Sequence, residues 1–250
     1  MQPSCGIVGI VQVDVSSTPD FQRARSASAK QQREAAILSA AAALGSSRGI
    51  RNVTLTDIAA EVGMHKSAML RYFETREQIF LRLTALAWRD WSADVRSRLG
   101  ALSPGSVPAG SDASAGSDAS VAEAFAETLV ARPMFCDLLA QAPLNLERNV
   151  SLESVRSFKL VTLSEVDAIS RELARLARLD EQQCVDVIAT ATSLAGAMWQ
   201  MATPGPEVQS LYRDDPRLTH AIVQVGPRLT RVLTALLAGL RTGNGLSPTA

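Results

Sequence analysis

Three cysteines (Cys5, Cys136 and Cys184) and two histidines (His65 and His220) are all that 250 residues carry. The cysteines lie far apart with no paired spacing, which excludes a disulfide framework, and the histidines cannot join them in a recognisable metal-binding pattern. No metal and no other cofactor is expected, and a reducing, cytoplasmic compartment is. An export or membrane signal is not expected either. In residues 1–20, MQPSCGIVGIVQVDVSSTPD, no basic segment precedes the apolar run, and Gln12 and Asp14 interrupt it. Net charge is also nil, with 25 Lys and Arg against 25 Asp and Glu. A uniformly neutral surface would argue against nucleic acid, but the balance is uneven. Residues 1–100 hold 13 basic and 9 acidic side chains (+4), and residues 101–250 hold 12 and 16 (−4). A basic end on a mildly acidic body fits a partner of negative charge at that end.

A hydrophobic content of 46% is ample for a buried core in one large or two small domains. The most informative stretch is 52–80, NVTLTDIAAEVGMHKSAMLRYFETREQIF. Thr54 can cap a helix with its hydroxyl while Asp57, three residues on, returns the bond. Leu55, Ile58, Ala59 and Val62 then share one face, and Gly63 is a natural left-handed stop. Met64, Met69 and Phe73 begin a second apolar set that leaves His65, Lys66, Ser67, Ala68, Arg71 and Tyr72 outward. Two short helices about a tight turn form a helix-turn-helix, and an outward row of Lys, Ser, Arg and Tyr suits a DNA major groove.

Around this unit the periodicity is helical throughout, so the expected fold class is all-α. Residues 1–27 are read as a disordered or loosely ordered extension whose basic end (Arg23, Arg25, then Lys30 and Arg33) can reach phosphates or a minor groove. Ser28 and Gln31 form a capping-box start to a helix with Ile37, Leu38, Ala41 and Leu44 on one face, ending near Gly45–Gly49. Residues 28–74 are thereby a three-helix unit. From Thr75 a long helix carries Ile79, Phe80, Leu83, Leu86, Ala87 and Trp91 along one side. Arg76 in its first turn opposes the helix dipole, which hints at a phosphate partner. Residues 103–119 (SPGSVPAGSDASAGSDA) read as a flexible loop inside a second domain, 75–243. Further helices run over 121–132, 133–144, 152–179, 181–202 and 217–240, with a Pro- and Asp-rich loop before the last and a kink at Gly226–Pro227. Ala189, Ala191, Ala195, Gly196 and Ala197 allow close helix approach in the fourth of these. The last helix has more apolar surface than one side can bury, which suggests a subunit interface. Residues 244–250 read as a disordered tail.

From Val53 to Phe80 the sequence resembles the head of the TetR family of bacterial transcriptional regulators, through Thr54 or Thr56, Ile58, Ala59, Gly63, Ser67, Met69, Tyr72, Phe73, Arg76 and Glu77. The stretch 132–163 also looks like the opening of the ligand domain in one branch of that family. Two positions depart from the pattern: Leu70 stands where a phosphate-contacting tyrosine is usual, and His65 where a small polar residue follows the turn. The resemblance implies phosphate contacts from Thr54, Thr56, Tyr72 and Arg76, with His65, Lys66, Ser67, Ala68 and Arg71 on the groove side. It further implies a homodimer formed through the last two helices, a palindromic double-stranded operator, and repression released by a small effector that moves the linking helix.

For the effector pocket the candidates are Trp88, Trp91, Phe125, Phe135, Cys136, Phe158, Met198, Trp199 and Met201, large or soft apolar residues on the helices expected to enclose it. Their lack of charge favours a largely hydrophobic ligand. Two other classes stand beside this reading. CGIVGIV from Cys5 resembles the start of N-terminal-nucleophile glutamine amidotransferases, where the cysteine must become the first residue; here Met1, Gln2, Pro3 and Ser4 precede it. A helical interaction protein without DNA binding is the other.

Overall fold

The periodicity becomes ten α-helices among the described residues, with no strand. The computed structural model describes residues 19–102 and 113–243, and the side chains of these except at 19–27, 113–116, 219, 220 and 243. In chain order the helices are α1 (Pro19–Arg48), α2 (Leu55–Glu61), α3 (Lys66–Met69), α4 (Arg76–Ala101), α5 (Ala113–Val130), α6 (Pro133–Gln141), α7 (Leu152–Ala177), α8 (Glu181–Ala202), α9 (Pro206–Asp214) and α10 (Val225–Gly243). A 3₁₀ turn, Ile50–Asn52, joins α1 to α2.

The head is α1 to α3. On α1, Ile37, Ala41 and Leu44 are buried and Leu38 is half-buried, the face that the spacing predicted. They meet Ile50, Ile58, Ala59, Met69 and Phe73 in one core, where each fully buried aliphatic side chain contributes about 1.5–3 kcal/mol. That core runs on without a break into Ile79 and Phe80 of α4. α4 packs against α1 on the head side and against α5, α6 and α7 on the body side, so one helix serves both units.

Several expectations need correction. Ser28 caps nothing, because α1 already starts at Pro19. Pro fits a first helical turn, and the Ala-, Arg- and Gln-rich run after it propagates a helix without a break. Residues 19–27 therefore belong to a helix, and residues 1–18, with Cys5, lie outside the described residues, as do 103–112 and the tail 244–250. The expected loop 103–119 is helical from Ala113 onward. Asp118 in that turn is 1% exposed and bonds Arg241 of α10, an anchor that no local pattern announces. The Pro- and Asp-rich stretch before the last helix holds α9, with Pro206 at its start, where proline costs no hydrogen bond. By the same rule Gly226 and Pro227 occupy the first turn of α10 and start that helix instead of kinking it. Leu86, expected along the inward side of the long helix, is exposed.

The small residues of α8 behave as expected in part. Ala191, Ala195 and Gly196 are buried, whereas Ala189 and Ala197 face out. At Gly196 α6 comes so near that an added Cβ would lie 2.9 Å from the backbone nitrogen of Ala140 and 3.3 Å from the carbonyl oxygen of Cys136. Neither backbone atom can yield cheaply. Gly196→Ala is accordingly expected to force α6 and α8 apart and cost about 2 kcal/mol in a urea unfolding series. An unchanged midpoint would show that the contact is loose.

Candidate nucleic-acid interface

Local capping builds the helix-turn-helix as the sequence suggests. The Thr54 hydroxyl accepts the Asp57 N–H (3.1 Å), and the Asp57 carboxylate accepts both the Thr54 N–H (2.8 Å) and the Thr54 hydroxyl (2.6 Å). The hydroxyl and backbone bonds from Thr54 hold the Asp57 carboxyl below its ordinary range, with the Arg48 guanidinium assisting. Gly63 then takes φ +63°, a left-handed value that a β-carbon would strain, and turns the chain from α2 into α3. α3 itself is a single turn with His65 at its N-cap, continued through Tyr72 by backbone bonds from Arg71 to Ala68 and from Tyr72 to Met69.

Around that turn, His65, Lys66, Ser67 and Arg71 are exposed, Ala68 is half-buried and Met69 is fully buried beneath them. Thr54 and Thr56 are exposed at the start of α2. Leu70 is 53% exposed, so an apolar side chain occupies the surface where the resemblance would put a tyrosine hydroxyl. The one hydroxyl proton of Thr54 goes to Asp57, which leaves its oxygen as an acceptor, the wrong polarity for a phosphate. Tyr72 is half-buried against the head core and borders a cleft toward the body, which divides its ring between packing and surface.

Arg76 departs furthest from expectation. Its side chain is only 18% exposed, and its guanidinium donates to the backbone carbonyls of both Ile50 and Val53, pairs with Glu77 at 2.9 Å and lies 4.8 Å over the Phe80 ring. The basic charge in the first turn of α4 thus meets the Val53 carbonyl and also the Ile50 carbonyl, which accepts the Val53 N–H at 3.3 Å as well. In this structure Arg76 is engaged within the head, where it joins the segment between α1 and α2 to α4.

Most of the residues expected at an effector pocket are packed inside the body, while Phe135, Phe158 and Trp199 border open clefts. Trp91 and Phe125 are fully buried, and Trp88, Phe135, Cys136, Phe158 and Met198 are 8% exposed or less. Trp88 meets Trp91 edge-on with centroids 5.3 Å apart and meets Phe135 at 5.6 Å, while Trp91 meets Phe125 at 6.0 Å and Phe135 at 5.7 Å. The Trp91 indole N–H donates to the Thr128 hydroxyl at 3.0 Å. Aromatic rings at these spacings fill the space they enclose. Met201 is 54% exposed, away from that cluster. Burial, with the Asp137 charge beside it, pushes the Cys136 thiol up to about 12, and burial pushes Cys184 up to about 11, so both stay protonated and poorly nucleophilic.

Open space lies instead between head and body, on two sides of α4. One cleft, of about 570 Å³, is bordered by Glu34, Leu38, Tyr72, Glu74, Gln78, Arg82, Ser154 and Phe158. The other, of about 990 Å³, is bordered by Arg48, Arg51, Asn52, Asp90, Arg132, Asp137, Trp199 and Gln200. At the first, the Glu74 carboxylate accepts the Ser151 N–H and the Ser154 hydroxyl, each at 2.9 Å, and Gln78 donates to Ser154 at 2.9 Å. The Ser151 N–H above all holds the Glu74 carboxyl below its ordinary range. At the second, Asp137 accepts the Ile50 N–H at 2.9 Å and the Gln200 amide at 2.8 Å. Sequence reading missed these residues, because no local spacing pairs Glu74 with Ser151 or Asp137 with Ile50.

Residues 37–83 match the model of bacterial regulatory proteins of the tetR family, and residues 85–244 match that of the tetracyclin repressor-like C-terminal domain. Among solved structures, the fatty acid degradation regulator FadR from Bacillus halodurans is similar at 14% identity and a TM-score of 0.52, over 83% of this chain and 96% of that one. The transcriptional repressor FadR from Thermus thermophilus, solved in complex with lauroyl-CoA, is similar at 18% identity and a TM-score of 0.50, over 87% and 97%. At such identity the likeness establishes the fold alone. No curated protein is a significant match.

Proposed function

Because the chain belongs to the TetR family of bacterial regulatory proteins, whose members are DNA-binding transcriptional regulators, we propose that it is a repressor. In this reading it binds a palindromic operator as a homodimer and leaves it when a small ligand binds. One observation carries the reading: His65, Lys66, Ser67 and Arg71 stand together on the exposed side of α3 while Met69 beneath them is fully buried. A surface built that way presents polar and cationic groups to a groove from a rigid base. Thr56 at the start of α2 and the exposed part of Tyr72 supply further backbone contacts. In this reading Arg76 acts as a clamp within the head, and the Thr54 hydroxyl serves the α2 cap.

Dimerisation through α8 and α10 is supported by what those helices leave uncovered. Ala189, Ala197 and Met201 on α8, with Val232 and Ala235 on α10, are exposed and uncharged. Two-fold pairing there would present two heads to successive major grooves. The effector reading changes with the filled aromatic core: a ligand entering one of the head–body clefts meets carboxylates, arginines and amides as well as apolar side chains, so it carries polar groups of its own. No helix among the described residues is long and apolar enough to cross a membrane, and a cytoplasmic site of action accords with a DNA target.

The test is selection of duplexes from a random pool by the full chain, followed by titration of the selected duplex at several salt concentrations. An inverted repeat with a steep salt dependence is expected. Lys66→Ala and Arg71→Ala should each flatten the salt slope by roughly one unit where they meet phosphate, or cost about 1–3 kcal/mol where they read a base. Unchanged binding in both variants would remove α3 as the recognition element, and absence of any salt-dependent binding would favour a helical interaction protein.

A further inference from the structure

We propose that Asp137 is a positioning residue for DNA binding: by bridging α8 to the Ile50 peptide, it fixes the orientation of the head on the body. This rests on the regulator reading above and adds a residue of α6, outside the recognition surface. Asp137 sits on α6, which is pressed against α8 at Gly196. One of its carboxylate oxygens accepts the Gln200 amide of the last turns of α8 (2.8 Å), and the other accepts the Ile50 N–H (2.9 Å).

Ile50 is the first residue after Gly49, whose φ of +79° bends the chain out of α1. Its N–H is tied to the body and its carbonyl to Arg76 of α4, which also holds the carbonyl of Val53. Thr54, the cap of α2, follows directly. A continuous hydrogen-bonded series thus runs from α8 through Asp137, Ile50 and Arg76 to the first helix of the helix-turn-helix. The bridge borders the 990 Å³ cleft, so water can compete for both of its hydrogen bonds. A link of that kind biases orientation between discrete arrangements without welding them. Two heads that must meet two grooves at a fixed spacing bind more tightly when their orientation is set beforehand.

Asp137→Ala removes both acceptors. Affinity of the full-length protein for the duplex it selects is expected to fall about tenfold, within the usual range of coupling between sites. The salt slope should stay unchanged, because no phosphate contact is lost. Amide hydrogen exchange at Ile50–Asn52 should accelerate in the free protein while the core of α8 keeps its protection. Asp137→Asn is the rescue: its carbonyl oxygen can still accept from Ile50, and its amide can donate to Gln200 once that side chain turns over. It should restore both affinity and protection. Gln200→Ala cuts only the α8 arm and should give a smaller loss in the same direction, which keeps the test available if Asp137→Ala folds poorly. Faster exchange with unaltered DNA affinity would overturn the positioning role, and unaltered exchange would overturn the bridge itself. Failure of the unmutated protein to bind DNA at all would instead defeat the regulator reading, leaving the exchange data to judge the bridge alone.

Discussion

Trp91→Ala is expected to destabilise the protein by about 4 kcal/mol, measured as the shift in a urea unfolding curve at constant slope. Trp91 is fully buried, touches Trp88, Phe125 and Phe135, and donates its indole N–H to Thr128. Truncation removes one of the two tryptophans of the cluster and leaves a void that its three neighbouring rings, themselves buried, cannot collapse into. Trp91→Phe should cost much less, about 1 kcal/mol, since most of the apolar contact survives and the Thr128 hydroxyl keeps its own bond to the Ala124 carbonyl at 2.7 Å. A pocket-lining tryptophan behaves differently: its removal enlarges a space already open to solvent or ligand at little cost. A near-neutral Trp91→Ala would return the aromatic cluster to the effector site and the clefts to plain surface.

The second large effect concerns Arg76, where stability and DNA binding separate two roles. As a clamp, Arg76 satisfies the carbonyls of Ile50 and Val53 with charge-assisted hydrogen bonds. Arg76→Ala is then expected to cost about 3 kcal/mol, because it strands the Val53 carbonyl and the partly buried Glu77 carboxylate and leaves the Ile50 carbonyl only the Val53 N–H. Arg76→Lys should recover little of this, as a single ammonium cannot span two carbonyls the way a planar fork does. A phosphate contact predicts the reverse pattern: small loss of stability, a salt slope flatter by about one unit, and partial rescue by lysine. Affinity measured on the folded fraction, with the slope unchanged, distinguishes the clamp.

Arg76 also shows how one local observation admits two kinds of partner. A cation in the first turn of a helix does oppose the dipole, and it does call for a negative partner. The partners turned out to be carbonyl dipoles of the same chain, 26 and 23 residues earlier in sequence. The exposure of Leu70 agrees with the departure that the sequence itself displays. The aromatic residues of the body were recognisable as inward-facing, but periodicity does not tell a wall from a filling. Packing does, through centroid distances near 5.5 Å among the three rings of Trp88, Trp91 and Phe135.

What the sequence determined by itself is the part governed by neighbours within one helical turn. The Thr54–Asp57 capping box, the left-handed turn at Gly63, the buried face of α1, the start of α8 after Asp180 and the all-α class each follow from residues three or four apart. Caps and amphipathic stripes act at that range, so their signals are written locally. Tertiary structure decided everything that joins distant segments: the helical state of residues 113–119, where Asp118 meets Arg241, the clamp at Arg76, the filled core around Trp91, and the Asp137 bridge to an N–H 87 residues away. Each of these depends on which surface a side chain reaches once the helices have packed, and helix-to-helix geometry is set by the sum of many weak contacts that no single spacing encodes.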